Sequence, residues 1–143
     1  MPKWDVIVAG GGTAGACAAV AAARQGARTL VLEQYGFLGG TQTAALVIPL
    51  MPFATPTEVL IRGLNDEIMA RCQALGGGHD GVWFDPEALK YVLEDMARES
   101  GVELLYHVFV TEPILDGSTI IGLHTWNREV CNSRKRAPLN CFF

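Results

Sequence analysis

The chain has 143 residues, half of them hydrophobic, and a formal net charge of −4 at pH 7. This is the length of one domain with a sizeable core, and the negative charge argues against nucleic-acid binding, which needs a clustered basic face. The basic run at residues 134–136 is predicted to be a solvated tail. The longest apolar stretch, residues 44–54, contains Pro49 and Pro52 and is shorter than the ~20 residues of a membrane span.

The first predicted unit is strand, glycine-rich turn, helix and strand. Residues 5–9 form an apolar run typical of a buried parallel strand. Gly10, Gly12 and Gly15 follow with Gly-x-Gly-x-x-Gly spacing, and a helix is predicted over residues 14–25, closed by Gly26. A second strand over residues 28–32 leads to Glu33.

This order of elements is typical of a dinucleotide-binding unit. The three glycines serve a tight turn, close approach of a pyrophosphate, and packing of the helix on the strand. The first amides of the helix would face the anion. A carboxylate at Glu33 would accept both hydroxyls of an adenosine ribose and repel a 2′-phosphate. These residues alone leave NAD and FAD open.

A second glycine pair, Gly39 and Gly40, comes next and is followed by Thr41. An ordinary flexible turn is the alternative interpretation of this pair. Over residues 5–43, DVIVAGGGTAGACAAVAAARQGARTLVLEQYGFLGGTQT, the chain closely resembles FAD-dependent oxidoreductases with two dinucleotide-binding domains. The resemblance favours FAD and implies that Glu33 holds the ribose. It also implies that the segment from Gly39 to Thr41 lies along the pyrophosphate and towards the flavin.

Between these motifs and the second half we predict a helix over residues 58–72, with Leu60, Leu64, Ile68 and Cys72 as a packing stripe. Its polar face is predicted to be solvated, with local ion pairs and no chemistry. Residues 76–81 are predicted to be a loop. An acid–base pair of His79 and Asp80 is one interpretation of this loop, but adjacency in a loop says little about geometry. No histidines or cysteines have metal-ligand spacing, so no metal site is expected.

The resemblance extends over residues 84–123. There Asp85 is a good N-cap with Pro86 at the first helical position, and a stripe of apolar residues follows at helical spacing. The stripe comprises Leu89, Val92, Leu93 and Met96. Gly101 closes this helix, and a strand is predicted over residues 102–106. Residues 108–115 and 119–123 form a predicted hairpin. The resemblance aligns Val110 with an adenine contact, and a plain core role is the alternative.

The predicted fold is α/β, a Rossmann-like FAD/NAD(P)-binding fold whose parallel sheet carries a hairpin or meander insertion. The predicted cofactor-binding residues are Gly10, Gly12, Thr13, Ala14, Gly15, Glu33, Gly39, Gly40, Thr41 and Val110. No catalytic residue is assigned. Four scattered cysteines without a framework spacing indicate reduced thiols and a cytoplasmic protein.

The resemblance ends after residue 123, where family members continue with a strand ending in an Ala-Thr-Gly-Asp-like flavin motif. We therefore expect residues 1–123 to be an incomplete FAD-binding domain, truncated or frame-shifted, and residues 124–143 to be a divergent tail, with disorder as one outcome. The missing strand would lie beside residues 5–9, which leaves a sheet edge for self-association or partner pairing. The expected function is the FAD-binding part of an oxidoreductase acting on an unidentified small molecule. An NAD-binding dehydrogenase domain and a non-catalytic adenine-dinucleotide-binding fragment are the alternatives.

Overall fold

A computed structural model describes residues 4–49, 55, 57–79, 83–127 and 139–142. In chain order the elements are β1 (Val6–Ala9), α1 (Thr13–Arg24), β2 (Thr29–Glu33), a 3-10 turn (Gly40–Gln42), α2 (Leu64–Ala74), β3 (Gly78–His79), β4 (Trp83–Phe84), α3 (Pro86–Glu99), β5 (Glu103–Tyr106), β6 (Val108–Asp116), β7 (Thr119–Asn127) and β8 (Leu139–Phe142).

The central sheet is parallel, with strand order β1-β2-β5. All five residues of β2 are buried, including the polar Thr29 and Glu33 at its two ends, as expected for a strand covered on both faces. On one face Val31 joins the core formed with α1, α2 and α3. On the other face Leu30 and Leu32 pack with Val108 of β6. The sequence thus builds a three-layer α/β fold, which confirms the predicted class.

Helix α3 forms as its local signals predict. The Asp85 carboxylate accepts a hydrogen bond from the Glu87 amide at 2.7 Å, and Pro86 is the first helical residue. The predicted stripe of four apolar residues is buried. Gly101 takes a φ of +79° after the last turn, a left-handed conformation that favours glycine.

The predicted start of the second helix is wrong. Helix α2 begins at Leu64 rather than at residue 58. Gly63 has a φ of +74°, which ends any helical path from the preceding residues, and its amide donates to the Asp66 carboxylate at 3.3 Å. Leu60 is 54 % exposed, so it does not extend the buried stripe of Ile68 and Cys72.

The glycine-rich segment also differs from the prediction of a simple loop. Gly78–His79 forms β3 and pairs antiparallel with β4. Gly77 precedes it, and a Cβ there would lie 2.5 Å from the Ala88 Cβ, so glycine permits the close approach to α3. Asp80 lies outside the described residues.

The insertion after β5 is a three-stranded antiparallel meander. Strands β6 and β7 form a hairpin that turns at Gly117 with a φ of +61°, and β7 pairs with β8. Strand β7 continues past residue 123 to Asn127, and Leu123 is in register with Cys141. The domain boundary at residue 123 stays a prediction, and residues 128–138, with the basic run, lie outside the described residues.

Ion pairs join the three helices on the outer side of the molecule. Arg71 contacts Glu67 at 2.8 Å, Asp95 at 3.1 Å and Glu99 at 2.7 Å, and Arg24 contacts Glu67 at 2.7 Å. The Arg24 guanidinium, aided by Arg71, lowers the pKa of Glu67 to about 2. The polar face of α2 is therefore partly exposed and carries one local ion pair, Arg71 with Glu67, of the predicted kind, while its other ion pairs join different helices. Within the described ranges, no helix is long and apolar enough to cross a bilayer.

Candidate functional site

The glycine turn after β1 leaves space at one glycine and none at another. A Cβ on Gly15 would lie 2.0 Å from the Gly10 carbonyl oxygen, so this glycine allows α1 to pack on the turn. A Cβ on Gly12 would meet only the Gly40 Cα, at 4.0 Å. Gly12 thus faces open space, which is the property needed where a ligand approaches the backbone.

Helix α1 points its first turn at this open space. Gly12 is the N-cap, and its carbonyl accepts the Ala16 amide at 2.8 Å. The preceding amides of Thr13, Ala14 and Gly15 have no intrahelical acceptor, and the first turn carries no acidic residue. This arrangement favours an anion beside Gly12.

The second glycine segment is attached to the first one. Gly39 donates its amide to the Gly11 carbonyl at 2.9 Å and has a φ of +106°. A Cβ on Gly40 would lie 2.9 Å from the Gly12 Cα. The two glycine segments therefore pack backbone to backbone, a contact that spacing alone did not reveal.

Thr13 adds a side-chain link between the same segments. Its hydroxyl lies 3.1 Å from the Gly39 carbonyl oxygen and also contacts the Gln42 carboxamide. Both partners are oxygens that accept, so the Thr13 hydroxyl proton is shared between the Gly39 carbonyl and Gln42 Oε1. Gln42 was missed from the sequence, although it is a polar residue two positions after the glycine pair.

Glu33 lies at the end of β2 with only 4 % of its surface exposed. Its Oε2 accepts the Gly11 amide at 2.6 Å, and its Oε1 accepts the Tyr35 amide at 2.8 Å. Each carboxylate oxygen still has acceptor capacity for a further donor. Gly11 was missed as a site residue, and its place inside the glycine triplet was the available signal.

A cleft of about 200 Å³ opens between the ends of β1 and β2 and the start of β6. Its lining residues are Ala9, Gly10, Leu32, Glu33, Gln34, Val108, Phe109 and Val110. The volume is below the roughly 300–1,000 Å³ of complete small-molecule sites, so the cleft alone would hold only part of a larger ligand.

The structure brings most of the predicted residues together. Gly10, Glu33 and Val110 line the cleft. The amide cradle, formed by the main-chain amides of residues 13–15, and the second glycine segment lie outside its lining. Gly11 connects them to it, because its amide donates to the cleft residue Glu33 and its carbonyl accepts the Gly39 amide. Thr41 does not line the cleft. It is exposed, and its carbonyl accepts the Val47 amide at 3.2 Å.

This geometry defines a dinucleotide-binding α/β domain, because an amide cradle, a glycine-lined approach and a strand-end carboxylate meet at the carboxyl ends of parallel strands. The family model for FAD dependent oxidoreductase matches residues 5–141. The chain belongs to the FAD dependent oxidoreductase family, and FAD is the cofactor of that family.

Known proteins agree with this assignment. A thiamine thiazole synthase from Methanococcus vannielii is 28 % identical over 120 residues, covering 83 % of this chain and 44 % of that protein. The crystal structure of Thermovibrio ammonificans THI4 has a TM-score of 0.67 at 18 % identity, over 98 % of this chain and 54 % of that one. Glycerol-3-phosphate dehydrogenase from Bacillus halodurans, solved with FAD, has a TM-score of 0.64 at 16 % identity, over 98 % of this chain and 32 % of that one. The chain spans about half the length of these relatives or less, and the structural likenesses show a shared fold.

Proposed function

We propose that this chain is the FAD-binding part of an oxidoreductase, with the adenosine in the cleft beside Glu33 and the pyrophosphate at the start of α1. The observation that carries the proposal is the open space at Gly12. It lies where three helix amides have no intrahelical acceptor and where a Cβ would find no neighbour nearer than 4.0 Å.

The residues present fit such a cofactor. The Glu33 carboxylate retains lone pairs for the ribose hydroxyls, and its charge disfavours a 2′-phosphate. The amides of Thr13 and Ala14 would stabilise the pyrophosphate, and Val110 would lie against the adenine. Thr41 would contact the cofactor only beyond the cleft, towards the flavin.

When bound, the flavin supplies hydride transfer, while the protein contributes binding and orientation. The activity of the whole protein is a proposal, since the chain spans 44 % of the thiamine thiazole synthase it matches, and no catalytic residue is assigned. We assign no substrate, because substrate pockets belong to the site and not to the fold.

The first experiment is an absorbance spectrum of the purified chain before and after incubation with FAD and desalting. Retained protein-bound flavin bands support the proposal. The matched titration uses NAD, followed by quenching of tryptophan fluorescence. Binding of NAD with no effect of FAD would replace the proposal with the NAD-dehydrogenase interpretation, and equal affinity for ADP and FAD without redox activity would favour the non-catalytic one.

We also propose that β1 offers an edge for self-association or for a partner strand. Among the described residues, β1 pairs only with β2. Its side chains are less buried than those of β2, which supports a further strand on that side. Sedimentation velocity across a concentration series tests the association. A monomer at all concentrations contradicts self-association.

We further propose that the protein is cytoplasmic with reduced thiols. Cell fractionation tests the location.

A further inference from the structure

We propose that Glu33 is a positioning residue that holds the glycine turn and the loop after β2 together before any ligand binds. Its two oxygens accept two main-chain amides from different segments, Gly11 at 2.6 Å and Tyr35 at 2.8 Å. This role goes beyond ribose recognition, and it rests on the proposed function only in the second of its two tests.

The contact at Gly11 connects the two ends of the site. Gly11 gives its amide to Glu33 and receives the Gly39 amide at its carbonyl, at 2.9 Å. A Cβ on Gly11 would lie 3.1 Å from Glu33 Oε2 and 2.5 Å from the Leu38 side chain. Glu33 therefore packs directly on the turn that precedes the amide cradle. A substitution at residue 33 is thus expected to affect the proposed phosphate site at the start of α1 as well as the proposed adenosine site in the cleft.

A carboxylate suits this role better than its isosteric amide. A buried carboxylate is costly unless donors surround it, and in the described part of the chain the hydrogen-bond donors to Glu33 are these two amides. Hydrogen bonds to an ionised acceptor are stronger than neutral ones. A glutamine has one acceptor oxygen and one donor group, so it would satisfy one amide and oppose the other.

The first test is amide hydrogen exchange of the ligand-free chain, measured by NMR for wild type and Glu33→Gln. The Glu103→Gln variant is the control, since Glu103 is exposed on the neighbouring strand and its side chain makes no hydrogen bond or ion pair with the described residues. We expect exchange at Gly11 or Tyr35 to accelerate by roughly tenfold or more in Glu33→Gln and to be unchanged in Glu103→Gln. Equal exchange in all three proteins overturns the proposal.

The second test separates positioning from ribose contact by titrating adenosine and ADP. If Glu33 contacts only the ribose, Glu33→Gln weakens both ligands by the same factor. If Glu33 also positions the cradle, ADP loses a further factor of about ten because its phosphates bind there. A common factor overturns the coupling. Failure of the wild-type chain to bind either ligand contradicts the proposed function, while the exchange result stands independently.

If Glu33→Gln fails to fold, a second variant, Glu33→Asp, tests the same proposal. Glu33→Asp keeps the charge but is one methylene shorter, so it reaches one amide and leaves the other. In Glu33→Asp we therefore expect faster hydrogen exchange at only one of the two amides, Gly11 or Tyr35, and wild-type protection at the other. Full protection of both amides in a folded Glu33→Asp protein also overturns the proposal.

Discussion

Replacing Gly12 by valine should abolish dinucleotide binding while the chain still folds. The backbone at Gly12 has φ −59° and ψ 174°, which valine adopts without strain. The nearest atom to the new Cβ is the Gly40 Cα at 4.0 Å, so the side chain points into the space proposed for the pyrophosphate. Because valine is a poor N-cap, we expect a stability cost of about 1 kcal/mol.

The loss of binding should be much larger than this cost. Excluding the pyrophosphate removes charge-assisted hydrogen bonds to the helix amides, each worth about 1.5–3 kcal/mol. Losing two of them corresponds to a Kd roughly 100-fold weaker or more. The assay is a fluorescence titration with FAD, paired with urea unfolding of each protein.

The matched variant is Gly15→Ala, three residues along the same turn. Its Cβ would lie 2.0 Å from the Gly10 carbonyl oxygen, so α1 must shift, at a cost of about 1–3 kcal/mol or more. Gly12→Val should therefore lose binding with a small loss of stability, and Gly15→Ala should lose stability. Wild-type FAD affinity in folded Gly12→Val refutes the reasoning.

Three further predictions concern stability. Asp85→Ala removes the cap of α3 and should lower the free energy of unfolding by about 1 kcal/mol in urea; no change would show that the cap is not needed. Leu93→Ala opens a cavity at a side chain that is 1 % exposed and should cost about 2–5 kcal/mol; a cost under 1 kcal/mol would contradict the core assignment. Arg24 and Arg71 lower the pKa of Glu67 from 4.5 to about 2, so its contribution is present above pH 4.5 and is lost as the pH falls towards 2. Glu67→Gln should therefore show a weaker fall in stability across that window, and parallel pH curves for the two proteins would contradict this.

Local signals predicted most of the dinucleotide unit. The spacing of Gly10, Gly12 and Gly15 indicated the turn, and Asp85 with Pro86 indicated the start of α3. Each signal involves residues within a few positions along the chain, where backbone geometry and capping decide the outcome. The turn at Gly117 was predictable for the same reason.

Contacts between distant segments were not predictable in this way. The spacing of Leu60 and Leu64 suggested one helix, but the conformation of Gly63 ends it between them. The pairing of β7 with β8 crosses residues 128–138 and has no local signal. Likewise, the sequence placed Glu33 at the ribose, while its hydrogen bonds to the Gly11 and Tyr35 amides depend on how the loops fold over β2.

The backbone contact between Gly40 and Gly12 has a consequence for changing cofactor preference by design. A Cβ at residue 40 would lie 2.9 Å from the Gly12 Cα, so the two segments must be altered as a unit. A library that varies only residues 10–15 would leave the second glycine segment packed against the first one, which limits the side chains that fit there. Most larger side chains at residue 40 would in turn displace the first glycine turn. Productive redesign of this domain therefore begins with paired substitutions that cover both turns.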